Sequence, residues 1–298
     1  MKLVSYDYKG SAQIGLLLGD DQVLNVAQIL SAAGLGSDAG MIDLIEQGDG
    51  VLDKLYAFEA DHAGQKTLPL SDVTLLSPIA RPRKNVFCVG RNYLEHVSEA
   101  SEARGREMKI PTDPQYFTKP PTTVIGPFDD IPLHADVTDN LDYEVELGVI
   151  IGKKGVNIPK SDVLDYIYGY TVINDITARD VQRRHDQWFK GKGLDGSCPM
   201  GPWIVPSRDI SDPGALDISL TVNGEMRQNS NTRNMIFDLA TLVSVLSQGM
   251  TLEPGDIIAT GTPSGVGFAM KPPCLLKDGD IVEASVAGVG TIRNRVSG

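Results

Sequence analysis

From Asn85 onward the chain repeats one local pattern: short runs rich in Val and Ile, each stopped by Gly, Pro or Asp. The runs are "NVFCVG" at 85–90, "QYFTK" at 115–119, "EVELGVIIG" at 144–152, "YGYTVIND" at 168–175, "GPWIVP" at 201–206, "LDISLTVNG" at 216–224, "DIIATG" at 256–261 and "IVEASVAGVGTI" at 281–292. β-Branched residues suit a pleated surface, and the stopping residues turn the chain. Helical patterns are few by comparison: the region after Tyr93, "KSDVLDYI", "TARDVQRRHDQ" and "NMIFDLATLVSVLSQG". Many strands with few helices predict a β-rich fold with peripheral helices, not an alternating β/α fold.

The first segment differs. It alternates in strand fashion through "KLVSYDY" and "AQIGLLLGDDQVLNV", with Gly19-Asp20-Asp21 as the turn, then becomes helical through "AQILSAAGL" and "MIDLIEQGDGVLDKLYAFEADHA". A connector containing Pro and Arg follows. A chain of 298 residues accommodates two domains, so the expected division is a small N-terminal α+β domain, 1–72, and a larger β-rich domain, 73–298. No internal repeat is visible.

Composition narrows the function classes. With 41% hydrophobic and 22% charged residues the chain reads as globular. A formal charge of −12 argues against nucleic acid or an anionic membrane surface as partner, since both attract basic patches. Cys88, Cys198 and Cys274 form no CxxC pair and suit free thiols in a reducing compartment. The N-terminus lacks the apolar stretch of a secretory signal, and no apolar run reaches the ~18–20 residues of a membrane span. A cytoplasmic location is expected.

The stretch "DYEVELGVIIG" places two carboxylates, Glu144 and Glu146, on one face of a strand that then becomes continuously apolar. An exposed strand end would explain them blandly. Buried side by side, however, they repel and lose hydration, and need a cation nearby. Asp175 ends a second apolar strand; alone it reads equally as the cap of the following helix. Three carboxylates at the ends of two buried strands suit a hard divalent ion, with no His or Cys beside them to favour zinc.

Together, "NVFCVGRNYLEHVSEA", "FTKPPTTVIGP", "LDYEVELGVIIGK", "GYTVINDITARDVQ", "GKGLDGSCPMGPWIV", "VNGEMRQNSNTRNMIF" and "LEPGDIIATGTPSGVG" occur in the order seen in the fumarylacetoacetate hydrolase family, which the chain resembles over residues 80–296. The resemblance implies a mixed β-sandwich roll with a small N-terminal α+β domain, and a homodimer. It implies one Mg²⁺ or Mn²⁺ per subunit on Glu144, Glu146 and Asp175. It implies a dyad of His96 and Glu99 on a mobile lid, in which Glu99 orients an imidazole that takes a proton; an arbitrary His and Glu three apart would be only a solvated helix face. Lys192, flanked by glycines in what is otherwise a plain loop, matches the family's active-site lysine, and Gln182 a residue that polarises the substrate carbonyl. Arg91, Tyr93 and Lys119 are candidates for binding the substrate. "GTPSGVG" at 261–267 offers backbone N–H groups and the Thr262 hydroxyl for a substrate carboxylate, and lacks the spacing of a nucleotide loop. His62, His134 and His185 have no partner pattern.

The expected activity is metal-dependent hydrolysis of a C–C bond in an acylpyruvate or other 2,4-diketo acid. The alternative is a decarboxylase or isomerase acting on a 2-oxo dicarboxylic acid such as oxaloacetate or a hydroxyheptadienedioate, because the same enolate serves all three reactions.

Overall fold

Among the described residues, pairing of the Val- and Ile-rich runs builds two large sheets, beside a two-stranded ribbon of Leu141–Asp142 and Thr177–Ala178. The structure, a computed structural model, describes residues 1–36 and 39–298. The larger sheet runs, in spatial order, through strands Thr67–Pro69, Gln22–Asn25, Ser11–Leu18, Leu3–Tyr8, Cys198–Pro206, Ile167–Asn174, Val145–Ile151, Ile257–Ala259, Val86–Gly90 and Gln115–Lys119. The smaller contains Glu225–Asn231, Asp217–Val222, Ile281–Val286, Gly290–Ser297 and Ile131–Pro132. Helices are short and lie outside the sheets, as expected of an α+β, strand-rich chain.

Strand Val145–Ile151 shows how the core is partitioned. It is buried on both faces. Val145, Leu147, Val149 and Ile151 enter the core shared with Leu220, Val282, Ala284 and Ile292 of the smaller sheet. Ile150 joins a second core with Leu3, Leu16, Leu24, Leu44, Leu52, Ile173 and Ile257. The alternation of side chains along a strand therefore gives Glu146 the same face as Ile150, toward the core that the first segment helps to build. The early strands are continuous with this sheet through the pair Leu3↔Ile204.

"KSDVLDYI" is helical as expected, in the 3₁₀ form, Lys160–Tyr166. Two local readings are revised. The "NMIFDLATLVSVLSQG" helix begins only at Leu239, where the Asp238 side chain accepts a hydrogen bond from Thr241 N at 2.7 Å and caps it. Lys192 lies not in a plain loop but on a one-turn helix, Phe189–Lys192, and Gly191 lets that helix close on Gln182: a Cβ there would lie 2.5 Å from Gln182 N. Among the described residues no helix is long and apolar enough to cross a membrane.

Candidate active site

Strand register assembles the carboxylates. Val145 pairs with Asn174 and Glu146 with Ile173, and one step beyond, Asp175 N donates to Glu144 O at 2.8 Å. Directly paired residues share a face, so Glu144, Glu146 and Asp175 converge. One oxygen of each lies within 4.8 Å of the others, and all three are buried. Asp175 does not cap the following helix, whose cap is Ala178.

Cations surround this negative cluster. Lys192 Nζ donates to Glu144 Oε2 and to Asp175 Oδ2, each at 2.6 Å. Lys119 Nζ lies 2.8 Å from Asp175 Oδ1, without the alignment of a hydrogen bond, and donates to Ile176 O at 3.0 Å. Arg179 reaches Glu144 Oε1 at 2.7 Å and bonds Asp142 through Nε at 2.8 Å. The consequences for the two paired carboxylates are opposite. Burial alone would raise Glu144, but Lys192 and Arg179 hold its carboxyl down at about 2. Among the described residues no cation contacts Glu146, and burial, Asp175 and Glu144 push it well above the usual carboxylate range. Its Oε2 accepts one hydrogen bond, from Gly261 N at 2.7 Å.

A divalent cation fits this set on two grounds. Three hard oxygen donors converge with one position short of positive charge, and Asp175 Oδ1 is buried without an aligned donor. The carboxylate donors are of the class that binds Mg²⁺ or Mn²⁺.

His96 lies on the helix Leu94–Ala103 and is buried, with Nδ1 2.8 Å from Glu99 Oε1. The other oxygen of Glu99 accepts from Gly265 N at 2.8 Å. The helix that carries the dyad is docked on the segment "GTPSGVG". In that segment the amides of Gly261, Gly265 and Gly267 donate to Glu146, Glu99 and Asp142, so these three N–H groups serve protein carboxylates rather than a substrate.

A narrow cavity of about 30 Å³ adjoins the cluster and is lined by Arg91, His96, Glu144, Glu146, Gln182, Lys192 and Thr262 among the residues expected from the sequence. Arg91 holds its place with φ of 56°. The Oε1 of Gln182 is buried and has no partner among the described residues. Lys119 and Tyr93 do not line the cavity: Lys119 sits behind Asp175, and the Tyr93 hydroxyl is buried with no partner among the described residues.

Six residues of the site escaped the sequence reading: Arg104, Phe117, Asp142, Arg179, Trp188 and Phe268. Arg104 had a signal, since His96, Ala100 and Arg104 recur every four residues and all three line the cavity. Asp142 stands two residues before Glu144, and its carboxylate gathers the N–H groups of Gly267 and Phe268 as well as Arg179. The Phe268 ring lies 4.5 Å from the Arg179 guanidinium and 5.2 Å from that of Arg104. Burial and the neighbouring Arg179 and Arg91 lower Arg104 to about 10, and its buried Nε has no partner among the described residues.

Comparison with known proteins places these features in context. The model of the fumarylacetoacetate hydrolase C-terminal family matches residues 85–297. The oxaloacetate tautomerase YisK of Bacillus subtilis is 41% identical over 304 residues, covering 99% of this chain and all of that one. The mitochondrial oxaloacetate tautomerase Fahd2a of Rattus norvegicus is 43% identical over 257 residues, 86% of this chain and 79% of its own. Among solved structures, a fumarylacetoacetate hydrolase from Exiguobacterium antarcticum superposes with a TM-score of 0.85 at 39% identity, covering 100% of this chain and 99% of that one. Maleylpyruvate hydrolase from Sphingobium sp. SYK-6, solved with manganese(II) and pyruvate, does so with a TM-score of 0.78 at 30% identity, covering 100% of this chain and 99% of that one.

Proposed function

The chain belongs to the fumarylacetoacetate hydrolase family, and from that premise we propose that it is a metal-dependent enzyme that interconverts the enol and keto forms of a short 2-oxo dicarboxylic acid, with oxaloacetate as the leading substrate. This favours the isomerase alternative over C–C hydrolysis. The observation that carries it is the pair of arginines in the cavity wall: among the described residues neither Arg91 nor Arg104 has an ion-pair partner, and Arg104 is largely buried. An unpaired guanidinium in a site that already holds three carboxylates calls for an anion from outside. A substrate carrying a second carboxylate supplies it, whereas the acyl tail of a simple acylpyruvate does not. The arginines argue for a dicarboxylic substrate, which a hydrolase of maleylpyruvate would also take; the choice of tautomerisation over C–C hydrolysis rests on the relatives named oxaloacetate tautomerase.

Glu144, Glu146 and Asp175 would hold Mg²⁺ or Mn²⁺, which when bound supplies a Lewis acid for the 2-oxo acid end. The remaining work belongs to the protein. Glu99 fixes Nδ1 of His96 and leaves Nε2 to take a proton from, or return it to, the carbon beside the 2-oxo group. In the keto direction that carbon gains one proton while the enol oxygen loses one, so the reaction is an isomerisation with no net exchange of atoms. Lys192 and Arg179 keep positive charge where the enolate oxygen becomes negative. Gln182, with its free Oε1, accepts a hydrogen bond from the enol hydroxyl. Residues 1–72 serve as backing for this face, behind Ile150 and Ile173, and a homodimer belongs to the same proposal.

C–C hydrolysis is the second reading, favoured by the hydrolases among the solved relatives. There His96 would activate water instead of moving a carbon-bound proton. Loss of the enol absorbance of oxaloacetate, followed with Mn²⁺, with chelator and with Glu146→Ala, separates the two. Metal-dependent tautomerisation absent from both controls supports the proposal. Metal-dependent release of pyruvate and a carboxylic acid from diketo acids, with no effect on enol oxaloacetate, overturns it in favour of hydrolysis.

A further inference from the structure

We propose that Trp188, seated against Gly90, sets the longest carbon chain the site accepts; this rests on the reading of the cavity as a 2-oxo acid site. Gly90 ends the strand Val86–Gly90, and a Cβ built on it would lie 2.0 Å from Cζ3 and 2.6 Å from Cη2 of Trp188. Its backbone is not in the left-handed region, so any residue could adopt that conformation; what a side chain would displace is the indole. Phe117 completes the wall from the adjacent strand, its ring meeting the indole edge-on with centroids 5.4 Å apart at 74°.

The indole is also tied to the chemistry. Lys192 N donates to Trp188 O at 3.1 Å, closing the single helical turn Phe189–Lys192, and the Lys192 ammonium lies 5.0 Å from the Phe117 ring. One turn of chain thus carries the cation that touches Glu144 and Asp175 and the aromatic plug of the same cavity. Arg91, Arg104, Phe117 and Trp188 line one cavity, so a short diacid can direct its second carboxylate to the arginines, while added methylenes run into the Trp188–Phe117 wall. Trp188 is accordingly a specificity-determining residue.

The test uses the Mn²⁺-loaded full chain and calorimetric binding of 2-oxo diacids of four, five and six carbons, alongside enol–keto turnover of oxaloacetate. The wild type is expected to lose about tenfold in affinity per added methylene, and Trp188→Ala and Trp188→Leu to lose most of that discrimination. Gly90→Ala, whose new methyl evicts the indole, is expected to do the same. In thermal unfolding Gly90→Ala should lower Tm in the wild-type background but not in the Trp188→Ala background. A wild type that binds all three lengths equally overturns the proposal, as does unchanged discrimination in folded Trp188 variants. If discrimination moves as expected while no form tautomerises oxaloacetate, the length role stands and the assignment of the reaction falls. If tautomerisation holds and discrimination does not move, the reverse follows.

Discussion

The ammonium of Lys192 sits 2.6 Å from Glu144 Oε2, and both side chains are buried. The pairing accounts for much of the low pKa of Glu144, and it places a fixed cation at the edge of the proposed metal position.

Replacing Lys192 by Met removes the cation and leaves Glu144 and Asp175 short of charge compensation. The expected cost to stability is about 3–5 kcal/mol in the metal-free protein, as for other broken buried pairs. Glu144, whose folded pKa is depressed, contributes stability above the ordinary carboxylate pKa that is lost as pH falls toward 2. The variant should therefore show a smaller loss of stability on acidification than the wild type. Urea unfolding in chelator across acidic pH checks both the size and the pH trend; an unchanged trend would show that the contact contributes nothing.

Glu146 should respond with the opposite sign. Its folded pKa is raised, so its contribution is present at low pH and is lost as pH rises through that value. Glu146→Gln, unable to ionise, should raise Tm of the chelator-treated protein at neutral and alkaline pH while weakening Mn²⁺ binding. Differential scanning calorimetry with and without Mn²⁺ reads both effects, and a lower Tm without metal would contradict the assignment of strain to this carboxylate.

His96→Ala and Glu99→Gln should reduce turnover by about 10²–10⁴-fold, the usual worth of a positioned proton-transfer group. Mn²⁺ affinity should stay within a few-fold, because neither side chain belongs to the carboxylate cluster. Electron paramagnetic resonance of bound Mn²⁺ beside steady-state kinetics distinguishes this from a ligand role, which would lower affinity and turnover together.

Arg104→Met should discriminate between substrates by their charge. Losing a charge-assisted hydrogen bond costs about 1.5–3 kcal/mol, roughly ten- to a hundredfold in KM for a 2-oxo diacid, with little change in the binding of pyruvate. An equal loss for mono- and diacids would remove the basis for choosing a dicarboxylic substrate.

The sequence alone was enough to predict a β-rich chain with peripheral helices, because the Val- and Ile-rich runs and their Gly, Pro and Asp stops are local signals. It also marked Glu144, Glu146 and Asp175, since two carboxylates of one face entering a buried strand are costly wherever that strand lies. The tertiary structure decided what balances them. Lys192 is 48 residues from Glu144 in the chain, and Gly261, whose amide bonds Glu146, is 115 away. Strand pairing sets such distances, and no local pattern records them. For the same reason the glycines of "GTPSGVG" looked like a cradle for a substrate carboxylate, while three of their amides bond carboxylates of the protein. Trp188, Phe117 and Arg104 come from separate elements, and only the folded chain brings them to one cavity. Periodicity and turn chemistry act over a few residues and can be read along the chain, whereas charge compensation and cavity shape depend on which distant residues the sheets set side by side.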